Sequence, residues 1–143
     1  MGATYDAAQA AAALELLRGL CLALPRVTER PSHGGPAFFA DPRCFAMFLD
    51  DHHGDGRLAL WCAAPDGVQA ELVVLEPDRF FRPPYVGHRG WLGVRLDQVE
   101  RDELAAVVLD AYRCTVSARG RRELDARTSQ QRRGPSAQPG RTG

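Results

Sequence analysis

Two apolar runs separated by a short polar loop constrain the fold of this chain more than any other feature. The runs cover residues 43–50 and 57–63, and the loop between them has the sequence Asp-His-His-Gly-Asp-Gly. The apolar side chains of the first run form two alternating sets, one of Phe45, Met47 and Leu49 and the other of Cys44, Ala46 and Phe48. Successive side chains of a strand point to opposite faces, and glycine and aspartate favour turns. The pattern therefore predicts an antiparallel hairpin.

Helices are predicted on both sides of this hairpin. Residues 5–23 carry leucines at helical spacing, and Pro25 ends that helix. A second helix is expected over residues 66–77, with an aspartate as its N-cap and a proline at its end. A third is expected over residues 101–116, where apolar side chains again keep one face.

Short strands complete the predicted fold. They cover residues 37–40, 80–82 and 91–96, and residues 27–30 could form a further strand that leads into the loop 31–36. The predicted order is helix, three strands, helix, two strands, helix. This order favours an α+β fold in which helices pack on an antiparallel sheet.

Charge is divided unevenly along the chain. Residues 1–111 carry ten arginines and sixteen acidic residues, whereas residues 112–143 carry eight arginines and two acidic residues. The total is zero, so the net charge gives no general attraction to nucleic acid. We expect one domain over residues 1–118 and a disordered arginine-rich tail over 119–143, since residues 128–143 hold no aliphatic side chain larger than alanine.

Composition also bears on origin and location. All eighteen basic residues are arginine, and the chain lacks lysine, isoleucine and asparagine, as a GC-rich bacterial genome would impose. The codon bias weakens any argument from arginine content alone. The four cysteines form no Cys-x-x-Cys pair, and no leader or transmembrane segment is predicted. We expect reduced thiols, a cytoplasmic location and no contact with a membrane.

The strongest candidate for function is the segment 79–96. It contains four arginines and four aromatic residues, with no acidic residue between Asp78 and Asp97. Guanidinium groups bind phosphates, and exposed rings stack on unpaired bases. The predicted nucleic-acid contacts are Arg79, Arg82, Arg89 and Arg95, with Tyr85 and His88 at an exposed loop tip. The alternative is that the aromatic residues belong to the core and the arginines to the ordinary surface.

A second candidate is His33, which lies in a His-Gly-Gly-Pro sequence. It would form a ligand pocket if it converged with Trp91 on one concave site. The alternative is that His33 hydrogen-bonds a backbone group and fixes its loop. The chain has no recognised catalytic motif, and residues 50–55 are more typical of a solvated turn than of a metal site. We therefore predict no catalytic residue, no metal, no cofactor and no enzymatic activity.

Several collinear pieces of sequence carry a family resemblance. They are Leu-Ala-Leu-Pro at 22–25, Glu-Arg-Pro-Ser-His-Gly at 29–34, Glu-Pro-Asp-Arg-Phe at 76–80, Gly-His-Arg-Gly-Trp-Leu-Gly-Val-Arg-Leu-Asp at 87–97 and Asp-Ala-Tyr-Arg at 110–113. Together they resemble the MmcQ/YjbR family of small bacterial proteins over about residues 8–118. The resemblance implies a CyaY-like or secretion-chaperone-like α+β fold, also described as a double wing, and a DNA-binding function.

DNA is accordingly the expected partner, contacted without catalysis. One alternative is a protein-interaction module, which would present an exposed apolar patch on the sheet. The other is a small-ligand domain built around His33 and Trp91.

Overall fold

The computed structural model of the chain describes residues 4–133. Its helices are α1 (Ala7–Leu22), α2 (Val68–Leu75), α3 (Arg101–Thr115) and α4 (Ala118–Arg133). Its strands are β1 (Val27–Ser32), β2 (Gly35–Ala40), β3 (Arg43–Asp50), β4 (Leu58–Cys62), β5 (Phe80–Phe81) and β6 (Leu92–Arg95). Two short 3₁₀ turns, His52–Gly54 and Gly87–Arg89, lie in the loops.

All six strands form one antiparallel sheet in the order β1-β2-β3-β4-β6-β5. The predicted α+β fold is confirmed, and the predicted hairpin is the β3–β4 pair, in which Ala46 lies opposite Cys62. The sheet has four strands before α2 rather than three. The additional strand is β1, which pairs with β2 over its whole length from Val27 to Ser32.

The first helix begins at a reciprocal cap. The Asp6 carboxylate accepts a hydrogen bond from the Gln9 backbone N–H, and the Gln9 side chain accepts one from the Asp6 backbone N–H, both at 2.8 Å. This capping box satisfies two donors that the first turn of a helix leaves free. The second helix lacks such a cap, because Gly67 at φ +85° precedes it and the predicted cap, Asp66, lies one residue earlier.

The helices α1 and α3 cover one face of the sheet. Cys62 of β4 is fully buried beside Cys21 of α1 and Cys114 of α3. Phe45 of β3 lies at an irregularity of the β2–β3 pairing and has no partner residue on β2. Its ring packs edge-on against that of Tyr112 of α3, with ring centroids 5.7 Å apart. Both helices therefore pack on the face that carries the Cys62 side chain.

The opposite face, called the outer face below, carries the alternate residues of the same strands. Strand register places on it the side chains of Ala37, Met47, Leu49, Ala59, Trp61, Phe81 and Arg95. Its apolar members are buried. The loop residues His52 and Tyr85 lie beside Trp61 of this face, and two arginine side chains lie over Phe81.

The expectation of a disordered tail beginning at residue 119 is wrong for residues 119–133. That stretch forms α4, which buries Leu124 and is tied back to the domain. Arg127 donates a hydrogen bond to the Ala23 carbonyl oxygen at 2.9 Å, and Glu123 pairs with Arg26 at 3.0 Å. Arginine, alanine and glutamine favour helices, so one apolar anchor and these polar contacts suffice. Residues 134–143 of the predicted tail lie outside the described residues.

Two further properties concern the described part of the chain, residues 4–133. None of its helices has the length and apolar character needed to cross a bilayer. In this part of the chain there is no group of three or more histidine, cysteine, aspartate or glutamate side chains that could hold a metal ion.

Candidate nucleic-acid interface

Four arginines place their guanidinium groups over aromatic rings, of which Phe39 and Phe81 belong to the outer face. The distances to the ring centroids are 3.9 Å for Arg30 over Phe39, 4.0 Å for Arg57 over Phe81, 5.6 Å for Arg95 over Phe81 and 5.2 Å for Arg89 over Trp91. The negative face of an aromatic ring attracts the cation. A guanidinium held in this way keeps N–H groups available for phosphate oxygens. Arg30, Arg57, Arg89 and Arg95 are called the stacked arginines below.

None of the stacked arginines forms an ion pair with any residue between 4 and 133. The arginines that do form ion pairs are Arg18, Arg26, Arg79 and Arg113. These four arginines therefore neutralise part of the acidic charge of the domain. For example, hydrogen bonds from Arg18 lower the pKa of the Glu29 carboxyl. The stacked arginines form no ion pair among residues 4–133, although Asp78 and Asp97 line the same hollow as Arg57 and Arg95.

The stacked arginines are also close enough to act on common groups. Burial raises the pKa of the Cys44 thiol, while the charges of Arg89 and Arg30 act in the opposite direction. Arg89 and Cys44 also line one cleft, although they belong to distant parts of the sequence. Arg57 and Arg95 share the ring of Phe81.

The structure separates the predicted arginines of segment 79–96 into two groups. Arg89 and Arg95 belong to the stacked set. Arg79 instead pairs with Glu76 at 3.0 Å and with Glu103 at 3.1 Å, so its charge is balanced within the domain. Arg82 is exposed, and its aliphatic stem fills the space beside Gly87, where an added Cβ would lie 2.6 Å from its Cγ. We therefore leave Arg79 outside the interface and place Arg82 at its margin.

The predicted loop tip presents a single large ring to solvent. Tyr85 is 69 % exposed, and His88 is exposed in the following 3₁₀ turn. The second half of the loop is anchored from below, because Gln69 of α2 donates hydrogen bonds to the carbonyl oxygens of Gly87 and Trp91 at 2.8 and 2.6 Å. The turn that carries His88 is therefore fixed to α2.

The other aromatic residues of this segment belong to the core. Phe80, Phe81 and Trp91 are buried, as the core alternative expected. Gly93 makes room for Phe81, since an added Cβ would lie 2.5 Å from that ring. Their role at the interface is therefore indirect, because Phe81 and Trp91 hold arginines in place.

His33 and Trp91 do converge on one concave site. Both line an open cleft of about 650 Å³, together with Arg43, Cys44 and Arg89. His33 is a central residue of the two-residue turn between β1 and β2, where it and Gly34 have φ values of +54° and +88°. Its Nδ1 lies 2.8 Å from the Ser32 hydroxyl rather than against a backbone group. This cleft opens beside Arg89 and so adjoins the stacked arginines.

Comparison with known families decides the classification. The family model YjbR matches residues 22–114. The chain belongs to the YjbR family. The YjbR match includes all four stacked arginines and ends before α4, so the basic helix α4 lies outside the family domain.

The fold of this YjbR protein is similar to a solved structure. The crystal structure of a Deinococcus radiodurans protein that carries the DUF419 domain superposes with a TM-score of 0.62 at 21 % sequence identity. The match covers 78 % of this chain and 87 % of that chain. At this identity the likeness concerns the fold alone. Among curated proteins, none matches this chain.

Two interface residues and one cleft residue were not predicted from the sequence. The interface residues are Arg30 and Arg57, and the cleft residue is Arg43; all three lie outside segment 79–96. Arg30 faces Ala37 and so lies diagonally to Phe39, a relation that exists only once β1 and β2 are paired. The one available signal was an arginine within or beside most of the predicted strands. Codon bias makes that signal weak.

The protein-interaction alternative expected an exposed apolar patch on the sheet. Within the described residues, the exposed large apolar side chains are Leu22, Val74, Leu75 and Tyr85. None of these four belongs to a strand. The sheet of this YjbR protein therefore does not supply the patch on which that alternative depended.

Proposed function

We propose that this YjbR protein binds DNA through its outer face, without catalysis, and that the stacked arginines contact the phosphates. One observation carries the proposal: four guanidinium groups are held over aromatic rings, and none forms an ion pair with a carboxylate in residues 4–133. A stacked guanidinium is already oriented, so it loses less side-chain freedom when it binds phosphate.

The dimensions of the face suit a nucleic-acid backbone. Arg30 lies on β1 and Arg95 on β6, four positions across the sheet. With neighbouring strands roughly 4.8 Å apart, this corresponds to about 19 Å. Each strand of a duplex carries one phosphate for every 3.4 Å or so of helix axis. Measured along the helix axis, the face is therefore as wide as about five base-pair steps.

The proposal is tested with a pair of double variants matched in charge. R57Q/R95Q removes two stacked arginines, and R101Q/R122Q removes two exposed arginines that lie on α3 and α4. We expect R57Q/R95Q to weaken binding to labelled DNA by at least about tenfold in fluorescence anisotropy, which corresponds to about 1.4 kcal/mol. R101Q/R122Q should stay near the native affinity. Equal losses in both variants would assign binding to general charge rather than to the outer face.

A second candidate function follows from the convergence of His33 and Trp91. Their cleft has a volume within the usual range of ligand sites. Arg43 and Arg89 line it and form no ion pair in residues 4–133; they outnumber the one carboxylate of the lining, Asp66, which favours an anionic small molecule. Adenosine monophosphate is a suitable probe. It should raise the melting temperature of the native chain and leave that of R43Q unchanged; an unchanged native melting temperature would contradict this candidate.

A further inference from the structure

We propose that the DNA ligand of the outer face is single-stranded and that Tyr85 is the platform on which an unpaired base stacks. This inference rests on the proposed function, because the stacked arginines would hold the backbone of the same strand. It adds a base-contacting site that the arginines cannot provide.

Tyr85 is held outward by an unusual backbone. Its φ is +65°, and the Val86 backbone N–H donates a hydrogen bond to the Pro84 carbonyl oxygen at 2.7 Å across it. Such a three-residue turn with positive φ at its centre is rare and strained. Strained residues of this kind cluster at functional sites, where the surrounding structure maintains them. Here the strain fixes the position of the most exposed ring on the loop.

The ring of Tyr85 does not stand alone. Its centroid lies 6.1 Å from that of His52 and 6.3 Å from that of Trp61. Trp61 belongs to the outer face and is only 2 % exposed. Because Trp61 shares this face with Arg95 and with the Phe81 ring under Arg57, Tyr85 projects from the surface that the DNA backbone would follow. A bound strand could therefore contact the arginines and the tyrosine together.

The two rings beside Tyr85 each carry a buried polar atom without a hydrogen-bond partner among the described residues. These atoms are Trp61 Nε1 and His52 Nε2. Unsatisfied buried polar groups are rare in native proteins and call for an explanation. The indole N–H is a donor and the imidazole nitrogen a donor or acceptor, and base edges carry the matching groups. A small shift of the Tyr85 ring on binding would give both atoms a partner.

This arrangement distinguishes single-stranded DNA from duplex DNA. In a duplex, neighbouring base pairs cover the faces of each base, so Tyr85 has nothing to stack on. In a single strand the faces are free, and stacking on an aromatic side chain strengthens binding by about five- to a hundredfold per base. Duplex DNA would use the stacked arginines only.

The experiment compares one DNA sequence as a labelled single strand and as its duplex, with the full chain and three variants. Y85A removes the ring, Y85F keeps it, and V74A removes an equally exposed apolar side chain on α2 as a control. We expect the native chain to prefer the single strand. Y85A should lose about five- to a hundredfold on the single strand and almost nothing on the duplex, while Y85F and V74A remain native-like.

The outcomes separate this inference from the proposed function. If single strand and duplex bind equally, or if Y85A weakens both alike, the stacking site is wrong while DNA binding stands. If neither form binds at moderate salt, the proposed function fails and this inference with it. A binding-induced change in tryptophan fluorescence that persists in W91F and vanishes in Y85A would locate the base beside Trp61.

Discussion

The hydroxyl group of Tyr112 donates a hydrogen bond to the carbonyl oxygen of Pro25 at 2.7 Å. Tyr112 is fully buried near the end of α3, and Pro25 lies between α1 and β1. The same hydroxyl lies 3.5 Å from the carbonyl oxygen of Gly120 in α4. One side chain of α3 thus contacts the α1–β1 connection and α4.

The first prediction concerns this hydrogen bond. Y112F keeps the ring that packs against Phe45 but leaves a buried carbonyl without its partner. We expect a loss of about 1–3 kcal/mol in the free energy of unfolding, measured by urea denaturation. Y85F, which removes a solvated hydroxyl, should have almost no effect. An unchanged midpoint for Y112F would show that water replaces the tyrosine hydroxyl.

The second prediction concerns the ring beneath Arg57 and Arg95. G93A would place a Cβ 2.5 Å from Phe81, which is buried and cannot move away freely. We expect a destabilisation of about 1–3 kcal/mol from this overpacking and a weaker DNA affinity, because the shifted ring no longer supports the two guanidinium groups. G19A is the control: it lies in α1 with nothing within 4 Å and should stabilise the chain by about 0.5–1 kcal/mol. Native stability and affinity in G93A would contradict the packing described.

The third prediction concerns pH. Hydrogen bonds and charge from Arg18 lower the pKa of Glu29 in the folded state. A carboxyl with a lowered pKa stabilises the fold above its unfolded pKa of about 4.3, and this contribution is lost as pH falls through the folded value. The native chain should therefore lose more unfolding free energy between pH 7 and pH 3 than E29Q does. An identical pH dependence in E29Q and the native chain would contradict the assignment.

Local sequence patterns predicted the centre of the fold correctly. The predicted runs 43–50 and 57–63 correspond to β3 and β4, and the predicted helix 5–23 to α1. Each of these elements is specified by its own periodicity and by glycine or proline at its ends. The family resemblance rests on residues within the same span and is confirmed by the YjbR match.

Elements that depend on distant partners escaped prediction. Helix α4 has a single buried apolar anchor, Leu124, and its remaining contacts reach back to Ala23 and Arg26. Composition cannot show such contacts. The stacked arginines are similar, since Arg57 and Phe81 meet only after β4, β6 and β5 are aligned. Segment 79–96 contains two of the stacked arginines, Arg89 and Arg95. The other two, Arg30 and Arg57, reach their rings only through strand pairing.

The most direct test of the account is the salt dependence of duplex DNA affinity. Four phosphate contacts predict a slope of log affinity against log salt of about −3.6, and each lost contact reduces it by about 0.9. The native chain should therefore show a slope near this value, and R57Q/R95Q one of about −1.8, while R101Q/R122Q keeps the native slope. A native slope near zero, or one that R57Q/R95Q leaves unchanged, would contradict the claim that the stacked arginines bind DNA.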